Sequence, residues 1–295
     1  MSRLALSLSL ATLTAAFGCD STPAKRDASA GGQRVAEVAV RVDAPSGGTP
    51  SASVLAYRAG VSGVAVDDVL SVIDPLVAAP PESGCVRRDV AVAARAIGLH
   101  GGKIELEALN ALALDLGAGA PGLRPLSRVY PELASAVGGV VSEAGPIDLA
   151  VAPQTLGLTD ESSGRRLAVA VPGLPRLLDD DGVALPATMG FDPGSDLVLG
   201  VVGPARTAAS SGTFVELRPF GATWALSCAV SASGPGFNGD SYVVIPAAEL
   251  GRLAELRVPV SLEAVVRESH GLVLGSSPVR LTLEVRTSSV IELRP

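Results

Sequence analysis

Apolar and polar residues alternate in short runs along most of this chain, and the period is two rather than 3.6. Successive side chains of a strand point to opposite faces, so this rhythm predicts strands. It covers residues 34–42, 53–57 and 64–72, and more loosely 85–97. Residues 103–109 and 111–116 alternate between Gly101-Gly102 and Gly117, and 147–151 and 167–171 are shorter repeats of the same kind. Further along, strands are expected over 196–202, 213–217, 223–230, 242–245, 258–267 and 280–285. The clearest alternation is Arg280-Leu281-Thr282-Leu283-Glu284-Val285-Arg286. It predicts Leu281, Leu283 and Val285 on a core and the charged residues on water. Helices are expected only over 127–137 and over 246–256, the latter opening on Pro246, a residue suited to a first helical turn.

Turn residues recur every eight to twelve positions, a spacing that suits β-sandwiches. The Pro- and Asp-rich stretch 172–186 marks a domain boundary. The expected fold class is therefore mainly β, with two β-sandwich domains and a few short helices. One β-rich domain spans 34–175 and a second spans 183–295. The chain has 295 residues, is 47% hydrophobic and only 3% aromatic, so its cores must be built from Val, Leu and Ala. With 33 Gly and 22 Pro it is also rich in turns.

The start of the chain follows different rules. Arg3 precedes an apolar run from Leu4 to Phe17, which ends in Gly18 and Cys19. A run of this length is too short to span a bilayer and is bounded like an export signal. Ala16-Phe17-Gly18-Cys19 resembles the lipobox of bacterial lipoproteins, with Phe17 the departure from the usual pattern. That resemblance implies cleavage after residue 18 and acylation of Cys19, making membrane lipid the first partner. Residues 19–33 are small and polar and read as a flexible tether. No later apolar run is long enough to cross a membrane.

Net charge is −7, and no stripe of Lys or Arg appears. Such a balance repels a phosphate backbone, so nucleic acid is not an expected partner. Beyond Cys19 the thiols are Cys85 and Cys228. In an oxidising compartment they form a disulfide if the fold brings them together, and otherwise pack as buried apolar groups. Trp224 and Cys228, four apart on one expected strand, resemble the Trp and Cys of immunoglobulin-like sandwiches. The stretch from Phe191-Asp192-Pro193-Gly194-Ser195-Asp196 through Trp224 and Cys228 to Ile245-Pro246-Ala247 resembles β-rich modules of predicted lipoproteins in myxobacteria-like genomes. That resemblance implies no known activity.

Catalytic signatures are sparse. His100 lies in a Gly-rich turn, and His270 is expected at a hairpin tip. Neither stands near a G-x-S-x-G elbow or a Ser-x-x-Lys motif, so no residue is assigned a catalytic role. Phosphate-cradling loops and Cys/His clusters are missing, so no cofactor or zinc is expected. Among the acidic pairs Asp67-Asp68, Asp160-Glu161 and Asp192 with Asp196, and the run Asp179-Asp180-Asp181, only the last offers a weak calcium loop. The expectation is a non-enzymatic lipoprotein, lipid-anchored in the bacterial cell envelope, with a structural, adhesive or binding role toward an envelope protein or glycan. The alternatives are a tethered hydrolase with a site assembled from distant residues, and a carbohydrate-binding module.

Overall fold

A computed structural model describes residues 33–62, 80–89, 103–109, 112–116, 124–127, 137–161, 163–203, 212–231, 241–274 and 277–293. Within them the fold is mainly β, with seventeen strands in large mixed sheets and one helix.

A long hairpin is the spine. β16 (Val260–Leu274) and β17 (Ser277–Leu293) pair antiparallel from Val260↔Ile291 to Leu274↔Ser277. On the other edge of β17 lies β1 (Gln33–Pro45), parallel, in register from Ala36↔Val279 to Pro45↔Ser288. Where β1 stops, β11 (Thr188–Phe191) continues along the same edge, from Thr188↔Val290 to Phe191↔Leu293. Outward from β16 come β13 (Gly212–Pro219), β14 (Trp224–Ala229) and β3 (Cys85–Asp89). Outward from β1 come β2 (Ser51–Ser62), β4 (Lys103–Ala108), β7 (Val137–Asp148) and β6 (Arg124–Ser127). These eleven strands form one sheet.

Two three-stranded sheets complete the fold. One is β5 (Leu112–Asp115), β8 (Thr155–Asp160) and β9 (Arg165–Ala170). The other is β10 (Arg176–Leu178), β12 (Leu197–Val202) and β15 (Ser241–Ile245). Each contributes to a separate apolar core. The first core joins Val38, Val40 and Val42 of β1, Val54 of β2 and Leu281, Leu283 and Val285 of β17 to Leu114, Leu156 and Leu158. The second joins Val215, Leu217, Leu226, Leu262 and Ile291 to Leu199, Val243 and Ile245. Helix α1 (Ala247–Ala254) closes the second core with Leu250 and Leu253. Its N-terminus is Pro246, as expected, and the Asp196 carboxylate accepts the Ala247 N–H at 2.8 Å, satisfying a donor that the helix leaves open.

Strand pairing crosses the expected boundary, while the first core draws on residues 36–171 with Leu272 and β17, and the second on 177–293 with Cys85. β1 pairs with β17, and β3 pairs with β14, so strands from 34–175 and from 183–295 share one sheet. The physical reason is the length of β17. Its first half presents Leu281, Leu283 and Val285 to the first core, and its end presents Ile291 to the second. His270 also differs from its expected place. It sits inside β16 opposite Leu281, because the hairpin runs on to Leu274 before turning. The expected strand over 64–72 and most of the expected helix over 127–137 lie outside the described residues. The ends of the latter, Ser127 and Val137, belong to β6 and β7.

Register between β2 and β7 shifts between Ala52 and Val54, and Gly145 faces that shift. Its φ is +109°, and a Cβ there would stand 2.6 Å from the Ala52 carbonyl oxygen and 2.9 Å from the Ser53 Cα. Backbone atoms cannot swing aside as a side chain can. We therefore expect Gly145→Ala to destabilise the fold by about 2 kcal/mol or more. Urea unfolding measures this, and an unchanged midpoint would contradict the reading.

Candidate functional site

Most of the polar face of β17 is shut off from water. Glu284 is 0% exposed and Arg286 4%, and Thr282 is equally buried. Pleating puts Arg280, Thr282, Glu284 and Arg286 on the face opposite Leu281, Leu283 and Val285. The neighbouring strands answer them in register. Glu37, Arg41 and Asp43 of β1 stand opposite Arg280, Glu284 and Arg286. From β16 come Glu263 and Arg267, the latter directly opposite Glu284, and from β13 comes Glu216 opposite Glu263.

Glu284 is the hub. Arg267 donates to its Oε2 from Nε at 2.9 Å and from Nη2 at 2.6 Å. Arg286 Nε donates to its Oε1, and Arg41 Nε lies 3.3 Å from the same oxygen. Arg286 Nη1 also donates to Glu216 Oε2 at 3.0 Å and to Glu263 Oε2. The remaining carboxylate oxygens are taken as well. Ser227 donates to Glu216 Oε1 and Ser261 to Glu263 Oε1, both at 3.0 Å. One step along the β1–β17 seam, Arg280 Nε donates to Glu37 Oε2 at 2.6 Å and Thr282 Oγ1 to Glu37 Oε1 at 3.0 Å. The Arg267 guanidinium also lies 5.0 Å from the centroid of the Phe214 ring, a cation–π distance.

Glu284 and Glu216 are held ionised. Burial pushes Glu284 upward, but Arg286, Arg267 and Arg41 outweigh it, and its pKa falls from 4.5 to about 2. Glu216 is lowered on the same pattern, with burial opposed by Arg286. Arg286 is held above its ordinary value, since Glu284, Glu216 and Glu263 more than offset its burial. Asp43 goes the other way, because burial outweighs the pull of Arg41 and Arg286. A carboxylate fixed as the ion by two or three guanidiniums is a poor proton donor near neutral pH. What the arrangement does is cross-link β1, β13, β16 and β17 through side chains. It also penalises misregister, because a one-residue slip would turn Glu284 into the apolar core.

The other sequence-designated residues lie apart from this cluster. Cys85 and Cys228 stand directly opposite each other on β3 and β14 and form a disulfide. They were expected in different domains, yet one sheet carries both. Asp179 Oδ1 accepts the backbone N–H groups of Asp181 at 3.1 Å and Val183 at 2.7 Å, so this carboxylate closes the turn that contains Gly182. Asp192 likewise accepts the Gly194 N–H at 2.9 Å, and Asp160 accepts Ser163 Oγ at 2.6 Å. His270 Nε2 lies 3.4 Å from Glu268 Oε2. Among the described residues no group of three or more His, Cys, Asp or Glu is arranged to hold a metal, and no helix is long and apolar enough to cross a membrane. Cys19, His100, Asp67 and Asp68 lie outside the described residues.

The cluster escaped sequence reading because a charged strand face normally means a wet face. One signal was present. Glu37, Arg41, Glu216, Glu263, Arg267, Glu284 and Arg286 are all interior to strong alternating runs, and their signs nearly balance. Mid-strand charges of both signs can satisfy one another when their strands lie side by side.

No protein-family model matches this chain, and neither does any curated protein.

Proposed function

We propose that this chain is a bacterial cell-envelope lipoprotein, exported, trimmed before Cys19 and held to a membrane by acyl chains on that residue. Its role is structural, adhesive or binding rather than enzymatic, toward an envelope protein or glycan. The two cores are read as immunoglobulin-like β-sandwich layers built on a common sheet.

The observation that carries this reading is the Cys85–Cys228 disulfide, taken together with the apolar leader ending in Cys19. Stable disulfides belong to oxidising compartments, so a bonded pair and an export signal agree on one address. The charge cluster supports the non-enzymatic part. Its carboxylates and guanidiniums are consumed in holding strands together, and the exposed acidic turns use their oxygens on backbone N–H groups. A single acyl chain binds membranes only marginally, at about 0.8 kcal/mol per buried methylene, so several chains on Cys19 are part of the reading.

Cys19→Ser is the direct test. We expect the variant to lose labelling by a fatty-acid probe and to move from the membrane fraction to the soluble fraction. A variant that stays membrane-bound, with a wild type that never takes up label, would overturn the proposal.

A further inference from the structure

The way the tether enters the fold points to a mechanical role. β1 begins at Gln33, directly after the tether, level with the turn end of the β16–β17 hairpin, since Ala36 pairs with Val279 and Val279 with Leu272. This is the end of β17 that serves the first core. The second core is built on the opposite end, around Ile291 and the β11 pairing. β17 has 17 residues and extends about 55 Å at ~3.3 Å per residue. The tether therefore leaves one end of a long sheet while the second core occupies the other.

We propose that the parallel β1–β17 seam is a mechanical clamp, through which the protein carries tension between its tether and its second core. Pulling the tether draws β1 along its own axis in one direction. Resistance at the second core holds β17 in the other. For two parallel strands that geometry is shear, and every hydrogen bond of the ladder is loaded at once. In the opposite geometry, with both loads at one end, the ladder opens one bond at a time. The seam is also reinforced. Its pairing runs unbroken from Ala36↔Val279 to Pro45↔Ser288. Side chains cross it as Arg280–Glu37 at 2.6 Å, Thr282–Glu37 at 3.0 Å and Arg41–Glu284 at 3.3 Å. Ser46 N–H donates to the Ser288 carbonyl at 2.9 Å and closes its far end. On its other edge β1 is held by β2 from Gln33↔Val61 to Asp43↔Ser51, so it cannot peel sideways. The source of the load rests on the anchored reading above. The strength of the clamp does not.

Single-molecule stretching of the full chain, disulfide intact, tests this directly. Bioorthogonal handles at residues 34 and 293 load the seam in shear, and handles at 47 and 293 open it from one end. We expect a rupture force several-fold higher for the first pair than for the second. Arg280→Ala should lower the first force and leave the second nearly unchanged. Equal forces in the two geometries would overturn the clamp. Strong shear resistance in a protein whose Cys19 proves unmodified would leave the clamp standing and remove only the anchor.

Discussion

Replacing Glu284 by Ala should lower the free energy of unfolding at pH 7 by about 3–5 kcal/mol, the cost of breaking a buried charge pair from one side. Glu284 is fully buried, and Arg267, Arg286 and Arg41 all approach it. Its loss removes their shared counter-ion from a place that water does not reach. Replacing an entire buried pair by apolar groups is often harmless, and the damage here comes from removing one side alone. The same residue governs acid stability. A carboxylate whose pKa is lower in the folded chain stabilises it above the unfolded value and ceases to do so as pH falls through the folded one. For Glu284 the window runs from 4.5 down to about 2, which corresponds to about 3 kcal/mol at ~1.4 kcal/mol per pH unit. Glu216 adds to it with the same sign. Asp43, raised by burial, binds its proton more readily in the folded chain and opposes them. Urea unfolding between pH 7 and pH 2 should thus show a steep loss below pH 4.5 in the wild type. Glu284→Gln should show a shallower one. A Glu284→Ala midpoint within error of wild type would mean that solvent reaches the cluster.

Reducing the Cys85–Cys228 bond should cost a comparable amount. The bond spans 143 residues, and loop-closure entropy for a loop of that size corresponds to about 5 kcal/mol, an upper value for disulfides. The loss should also have a location. β3 has five residues, and among the described residues its ladder partner in the large sheet is β14 alone. Without the bond, β3 is a short edge strand closing a very long loop. We expect reduction to abolish hydrogen-exchange protection at Val86–Arg88 first and to lower the unfolding midpoint afterwards. Reduction by a phosphine is a cleaner test than Cys228→Ala, because Cys228 is fully buried and the substitution would also leave a void. Unchanged protection over β3 after complete reduction would contradict this account.

Much of the fold was legible in the residues. The alternations at 103–109, 196–202, 213–217, 223–230 and 242–245 mark strands that the structure contains within a few residues. Pro246 opens the helix as expected. Period-two patterning is a local property, and local properties survive folding. What failed was non-local. Arg280–Arg286 announces a strand with one apolar face, yet nothing within it says whether the other face meets water or three more strands. Only the pairing with β1 and β16, two hundred residues or a hairpin away, turns Glu284 inward. The pairing across the expected domain boundary was hidden for the same reason. A Pro-rich stretch at 172–186 looks like a linker, but β17 reaches back past it to pair with β1. His270 was misplaced because Gly271 reads as a turn, whereas the hairpin continues through it with no atom near its missing Cβ.

The proposal that the protein is an anchored envelope lipoprotein is tested most directly by intact-mass analysis of the chain purified from the membranes of its native host. The account predicts a mature chain beginning at Cys19, heavier than its residues by several acyl groups, and lighter by two hydrogens for the bond between Cys85 and Cys228. A chain that begins elsewhere, or one with a bare Cys19 thiol, would contradict it.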